Sequence, residues 1–309
     1  MSQAFLFPGQ GSQYVGMGKD LYESDSLARA YIDRADQKLP FDLKRICFEG
    51  PIDELKQTRI TQPAIFIHSV ALSFKLAPRG TGFACTAGHS LGEYSALVAA
   101  GVLDFDSALE VVALRGELMQ NAGDERPGTM AAIIGLPDEK VDDLCREAST
   151  DGTVVVPANL NAPGQVVISG DVEAVERGME LAREAKAKRV MPLVVSGAFH
   201  SPLMAPAADQ LAEKLESLNF RTANVPVYLN VTGKASTDPY EIKQRLVEQL
   251  THPVRWEDTI KNMATAGVDT YVEVGPGKVL QGLAKRIVKG VETRGVDTFD
   301  QVEAYLAEE

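Results

Sequence analysis

A nine-residue stretch near the end of the first third of the chain limits its possible folds more than any other feature. Ala87-Gly88-His89-Ser90-Leu91-Gly92-Glu93-Tyr94-Ser95 reads Gly-x-Ser-x-Gly, between a short apolar run at 83–87 and a helix-like run at 91–100. Strand, sharp turn and helix, in that order, make a nucleophile elbow. Gly88 and Gly92 remove side chains where strand and helix crowd together, and Ser90 is left at the tip with its hydroxyl exposed. The Leu91 amide and the helix N-terminus behind it point to where negative charge would develop. A tight turn that happens to contain a serine has the same letters, so the reading needs support from the rest of the chain.

The surrounding elements predict an α/β fold with a hydrolase-like large subdomain, built on a parallel sheet, and an inserted ferredoxin-like small subdomain. Residues 3–7 read as a strand broken by Pro8-Gly9-Gln10-Gly11-Ser12, and 63–76 as a buried helix. Asp104 or Asp106 caps a helix running to about Asn121. A strand at 129–136, a helix at 138–148, strands at 153–160 and 165–169, a helix at 171–185 and a strand at 190–195 follow. That β-α-β-β-α-β order is the ferredoxin-like unit. The chain then continues with a helix at 202–218, a strand at 225–231, a helix at 240–250, a strand at 270–274, Gly275-Pro276-Gly277 and a closing helix. The expected division is 1–127 with 197–309 for the large part and 128–196 for the small one.

With 309 residues, 45% of them hydrophobic, the chain is long enough for a large core. No apolar run reaches membrane-spanning length and no leader pattern precedes the first strand, so a soluble, cytoplasmic protein is expected. Cys47, Cys85 and Cys145 lie far apart and read as reduced thiols, with no metal site expected. A net charge of −12 argues against nucleic acid as partner. An acidic partner would need a local basic patch. Arg183, Lys186, Lys188 and Arg189 form one candidate, and Lys278, Lys285, Arg286 and Lys289 another; each also reads as a solvated face. The absence of a coiled-coil or swapped-tail pattern favours a monomer.

The helix after Asp104 carries a second constraint. Ala108, Val111, Val112, Leu118 and Met119 form one apolar stripe, and Arg115 sits in its middle. A guanidinium buried without an anionic partner is very costly. The partner is either an internal carboxylate or a substrate carboxylate held in arginine's bidentate fork. A serine nucleophile also needs a base. Of the four histidines, His68 lies in an apolar helix, His89 adjoins Ser90 and points away from it, and His252 precedes Pro253 in a loop. His200, past the last strand of the small unit at a junction where clefts form, is the remaining candidate base.

Pro8-Gly9-Gln10-Gly11-Ser12-Gln13, Gly88-His89-Ser90-Leu91-Gly92-Glu93, Arg115-Gly116, Asn159-Leu160-Asn161-Ala162-Pro163-Gly164-Gln165, Gly197-Ala198-Phe199-His200 and Gly275-Pro276-Gly277 follow one another at the spacing of one family. Over essentially its whole length the chain resembles the malonyl-CoA:acyl carrier protein transacylases of bacterial fatty-acid synthesis. The resemblance implies that Ser90 takes the malonyl group as an ester and that His200 is base and then acid, oriented by the backbone carbonyl of Gln249. It implies an oxyanion hole from the Gln10 and Leu91 amides and an Arg115 clamp on the malonyl carboxylate. Phe199 would crowd an α-methyl branch, and Asn159 and Asn161 would line the cleft. The implied partners are malonyl-CoA and acyl carrier protein, with no cofactor beyond the coenzyme A thioester and the carrier's phosphopantetheine. The Arg183–Arg189 cluster, beside the cleft, would dock the carrier; the C-terminal cluster is second, with coenzyme A phosphates competing for it. A serine thioesterase or esterase, or an inactive carrier-binding scaffold, are the alternatives. A neutral-acyl esterase has no use for Arg115, and a scaffold has none for Ser90, His200, Arg115 and Gln10 together.

Overall fold

The computed structural model describes residues 2–77 and 82–308. β1 (Gln3–Phe7) runs through the middle of a six-stranded sheet, with Ala4 to Phe7 buried. Apolar runs without alternation suit a parallel strand covered by helices on both faces. Four helices follow, α1 (Lys19–Ser24), α2 (Ser26–Lys38), α3 (Leu43–Glu49) and α4 (Ile52–Leu55), and then α5 (Thr58–Leu76), buried around most of its axis. β2 (Cys85–Gly88) pairs parallel with β1 and turns at Ser90 into α6 (Gly92–Ala99). Asp104 caps α7 (Phe105–Glu125), its side chain accepting from the Ser107 amide at 2.9 Å, and the helix continues past the expected end at Asn121.

β3 (Gly128–Ile134), α8 (Asp138–Ala148), β4 (Val155–Ala162), β5 (Gln165–Asp171), α9 (Val172–Glu184) and β6 (Arg189–Pro192) form a separate sheet of order β4-β5-β3-β6, antiparallel throughout. This is the ferredoxin-like arrangement. Alternation along β3 explains how it sits on the rest of the molecule. Ala131 and Ile133 pack with Val141, Leu144 and Val175 beneath α8 and α9, whereas Met130 and Ala132 join the main core. At the seam the Leu160 amide donates to the Val254 carbonyl, and the Val254 amide to the Ala158 carbonyl, both at 2.9 Å. The edge strand β4 is thereby paired instead of exposed.

The chain continues with α10 (Ala205–Glu216), β7 (Val227–Tyr228), β8 (Ala235–Ser236), α11 (Pro239–Glu248), α12 (Trp256–Thr265), β9 (Thr270–Val274), α13 (Val279–Ile287), β10 (Glu292–Val296) and α14 (Phe299–Glu308). The large sheet has the order β10-β9-β1-β2-β7-β8, parallel except for β7 with β8. The loops after β1 and β2 carry Gln10 and Ser90 at the carboxyl ends of two central strands, where open α/β sheets bind ligands. Among the described residues no helix is long and apolar enough to cross a membrane.

Several expectations change. The strand expected at 225–231 shrinks to Val227–Tyr228, because Asn230 leaves the ladder to bond the elbow. The helix expected to close the chain is followed by β10 and α14. β10 is an edge strand with a single buried residue, Val296, so it carries little hydrophobic signal. Helices α1 to α4 and α12 are not anticipated by the sequence patterns; α1, α3 and α4 are short and bury few side chains each.

Candidate active site

The elbow is forced by close backbone approach. A Cβ on Gly88 would overlap the Gly92 carbonyl group, and one on Gly92 would overlap the Phe7 carbonyl oxygen. Ser90 sits at φ 52°, a left-handed conformation rare for a side-chain-bearing residue and held here by its surroundings. Asn230 supplies that hold. Its Oδ1 accepts from the Ser90 amide at 2.7 Å, and its Nδ2 donates to the Gly88 carbonyl at 2.7 Å.

Ser90 Oγ lies 2.8 Å from His200 Nε2, and His200 Nδ1 lies 2.8 Å from the Gln249 carbonyl oxygen. Because that carbonyl only accepts, Nδ1 carries the proton and Nε2 is left as the acceptor for the seryl O–H. Burial, with the Arg115 charge second, pulls the His200 imidazole down to about 3, so it stands neutral. Arg115 has no exposed surface. Its Nη1 donates to Gln62 Oε1 at 2.7 Å, and its Nη2 donates to Gln249 Oε1 at 2.9 Å and to Ser90 Oγ at 3.0 Å. The Tyr94 ring lies 5.5 Å from the guanidinium carbon. Among the described residues Arg115 forms no ion pair with a carboxylate. Of the two partners left open by the sequence, the internal carboxylate is therefore not in contact with it.

Around these groups, the loop after β1 is braced internally. Ser12 Oγ donates to the Gly9 carbonyl and the Gly11 amide to Gln13 Oε1, each at 2.8 Å, while Gln10 Nε2 donates to Thr58 Oγ1 at 3.2 Å. The Leu91 amide leads into α6. His89 Nε2 lies 2.8 Å from Asn161 Oδ1, so this histidine points away from Ser90 toward the small unit. Asn159 is buried at the seam, bridging Val254, and Phe199 is buried beside His200 with its ring near Gly197. His68 is a buried partner of Asp297 at 2.8 Å, and His252 is exposed.

Ser90, His200, Arg115 and Gln249 thus meet, whereas Asn161 bonds His89, the residue before Ser90, and none of those four. Three participants had no signal strong enough to single them out. Gln62 is one polar residue inside an apolar helix, Asn230 follows a two-residue strand, and Glu93 is a helix residue of the elbow. Arg183, Lys186, Lys188 and Arg189 are exposed. They precede or begin β6, the edge of the small sheet opposite β4. The Lys188 stem covers Gly135, whose amide donates to the Gly164 carbonyl at 2.8 Å. From the other side Arg286 donates to the Pro163 carbonyl at 3.1 Å and to Gln165 Oε1 at 3.0 Å. One residue of each basic cluster, Lys188 and Arg286, thus lies at the same turn. No cluster of three or more metal-ligating side chains occurs among the described residues.

The family model described as an acyl transferase domain matches residues 4–299. The malonyl CoA-acyl carrier protein transacylase of Bacillus subtilis (strain 168) is 47% identical over 300 residues, covering 97% of this chain and 95% of that protein. The protein of that name from Escherichia coli (strain K12) is 49% identical over 286 residues, covering 92% of each. The crystal structure of an acyl carrier protein S-malonyltransferase from Vibrio cholerae superposes with a TM-score of 0.93 at 47% identity, covering 98% of this chain and 99% of that one. A malonyl-transacylase solved in complex with its type II PKS acyl-carrier protein superposes with a TM-score of 0.95 at 43% identity, over 100% of both chains.

Proposed function

Since the chain belongs to the acyl transferase family, among the malonyl-CoA:acyl carrier protein transacylases, we propose that Ser90 is the group through which it works. The enzyme transfers malonyl from malonyl-CoA to the phosphopantetheine thiol of acyl carrier protein. In this reading His200 Nε2 takes the seryl proton as Oγ bonds to the thioester carbonyl carbon. The oxyanion is received by the Gln10 and Leu91 amides. Collapse breaks the C–S bond, and the imidazolium gives its proton to the departing coenzyme A sulfur. The carrier thiol then repeats the sequence in reverse on the seryl ester. Phe199 limits room for an α-branch, and Asn159 and Asn161 line the cleft. Cytoplasmic residence and independence of any added cofactor belong to the same proposal.

The observation that carries this reading is Arg115, fully buried, bonded to two amide oxygens and to Ser90 Oγ, with no carboxylate among the described residues against it. The malonyl carboxylate lies two bonds beyond the carbonyl carbon that Ser90 attacks. A guanidinium 3.0 Å from Oγ is therefore at the right remove to receive it. The test is intact mass spectrometry after brief exposure to malonyl-CoA or acetyl-CoA. A malonyl adduct discharged by holo carrier protein is expected; acetyl loading of equal extent would favour an esterase, and no adduct a scaffold.

The depressed His200 predicts an unusual pH profile. Loading, read as kcat/KM, is expected to stay flat as pH falls through about 6.5, where an ordinary histidine protonates. A carboxylate bound to Arg115 compensates the charge that helps to hold His200 down. The acid limb of kcat, which reports the occupied enzyme, is then expected at higher pH than that of kcat/KM. Rapid-quench loading across the acid range measures both; a free-enzyme limb at the ordinary histidine pKa would contradict the prediction. The same burial sets a stability trend. The unfolded chain takes up the proton near 6.5 while the fold resists it down to about 3, so this histidine costs stability as pH falls through that window.

For the carrier, the basic face over the 163–164 turn is the docking surface, with Lys186 and Lys188 on one flank and Arg286 on the other. Charge complementarity of this kind acts mainly on encounter. Lys186→Glu with Lys188→Glu is expected to raise the apparent KM for carrier protein about tenfold at low salt, leaving malonyl-CoA loading intact. Unchanged transfer kinetics would remove the assignment, and a parallel rise in the KM for malonyl-CoA would give the face to coenzyme A phosphates.

A further inference from the structure

Glu93 is 1% exposed in the first turn of α6, and no step of the cycle above uses it. Its Oε2 accepts from Gln249 Nε2 at 2.6 Å and from the Asn230 amide at 3.3 Å. Gln249 Nε2 donates as well to the Ser90 carbonyl at 3.0 Å. A side-chain amide has one donor end and one acceptor end. Glu93 and the Ser90 carbonyl present two acceptors to the same end, which fixes the NH2 group there and turns Oε1 toward Arg115. Flipped, the amide would set its N–H groups against the guanidinium and leave its oxygen facing two acceptors.

We propose that Glu93 is a positioning residue for acyl choice, fixing the orientation of the Gln249 amide and through it the aim of the Arg115 fork at the substrate carboxylate. The inference rests on Arg115 as the carboxylate clamp. Orientation, not charge, is the property required. Burial raises the Glu93 carboxyl to about 7, and its Oε1 has no hydrogen-bond partner. With a proton on Oε1, Oε2 still accepts from Gln249. Glutamine at this position keeps an acceptor in the same place, whereas alanine removes it.

The test compares malonyl and acetyl loading by intact mass in Glu93→Ala, Glu93→Gln, Gln249→Ala and the Glu93→Ala/Gln249→Ala pair, with Arg115→Met as reference. Glu93→Ala is expected to lower the malonyl-to-acetyl ratio about tenfold, as loss of an oriented bond to a charged group does. Glu93→Gln keeps the native ratio. In the Gln249→Ala chain, Glu93→Ala adds no further loss, because the two act as one unit. A native ratio in Glu93→Ala overturns the proposal, as does an equal loss in Glu93→Gln, which would make charge the cause. Should Glu93→Ala fail to fold, a native ratio in Gln249→Ala overturns it equally. If Arg115→Met leaves the ratio unchanged, the clamp reading fails first; if Arg115→Met collapses it and the Glu93 and Gln249 variants do not, only the positioning role fails.

Discussion

Ser90→Ala is expected to leave no covalent malonyl-enzyme and to cut transfer to carrier protein by about 10⁴-fold or more, the scale of removing a serine nucleophile from a hydrolytic triad. His200→Ala is expected to do nearly as much, and the double variant little more than either alone. The reason is geometric. Ser90 Oγ and His200 Nε2 share one hydrogen bond of 2.8 Å, and each is idle without the other. Stability separates this result from misfolding. Ser90 stays at φ 52° through the Asn230 and Gly88 bonds, which involve main chain and the Asn230 side chain only. The Ser90→Ala chain should therefore melt near the native one. Intact mass after exposure to malonyl-CoA, single-turnover transfer and calorimetry read the three quantities. A malonyl adduct that persists in Ser90→Ala would falsify the nucleophile assignment.

Arg115→Met is expected to lower malonyl loading about 10²- to 10³-fold, with acetyl loading affected far less, so that the native preference collapses. Met fills a comparable volume and removes the charge that the proposed reading sets against the malonyl carboxylate. Two effects compete in the folded chain. The variant leaves Gln62 Oε1 and Gln249 Oε1 without their donor, which costs stability. It also removes a fully buried cation that no carboxylate contacts, which relieves a desolvation penalty of several kcal/mol, roughly. The second effect is the larger, so Arg115→Met is expected to melt at or above the native temperature while losing its substrate. Arg115→Lys restores the charge but not the fork, since one ammonium cannot face Gln62, Gln249 and a carboxylate in a plane. It is expected to recover only a small part of the malonyl rate. A strong drop in melting temperature for Arg115→Met, with loading intact, would assign Arg115 to folding and return the choice of substrate to other groups.

Much of the site is legible before any coordinates, and the reason differs from residue to residue. The elbow is a local steric statement: two glycines bracket a serine where backbone meets backbone, and the alternatives clash. Arg115 is an anomaly in a helical pattern, visible because its neighbours repeat at helical spacing. His200 rests on elimination among four histidines and on its junction position. The small unit shows itself through its order of elements, and its alternating strands set which residues turn inward. By contrast β10 is not legible, because an edge strand with one buried residue hardly differs in composition from a loop. The place of the Arg183–Arg189 cluster at the far edge of the small sheet is not legible either, because order along the chain does not give order in a sheet. β6 follows β5 in sequence but pairs with β3.

Short-range sterics and periodicity are written into the residues themselves: strand, turn and helix at Ser90, a charge on a buried stripe, and a β-α-β-β-α-β insertion. Which polar groups face one another emerges only when the chain is folded. Ser90 and His200 are separated by 110 residues, His200 and the Gln249 carbonyl by 49, and Arg115 and the Gln249 amide by 134. Gln62, Asn230 and Glu93 complete that network from three further elements. Each is an ordinary polar residue in its own segment. It becomes informative only when packing removes water from it, because a buried donor or acceptor must then find its partner within the fold.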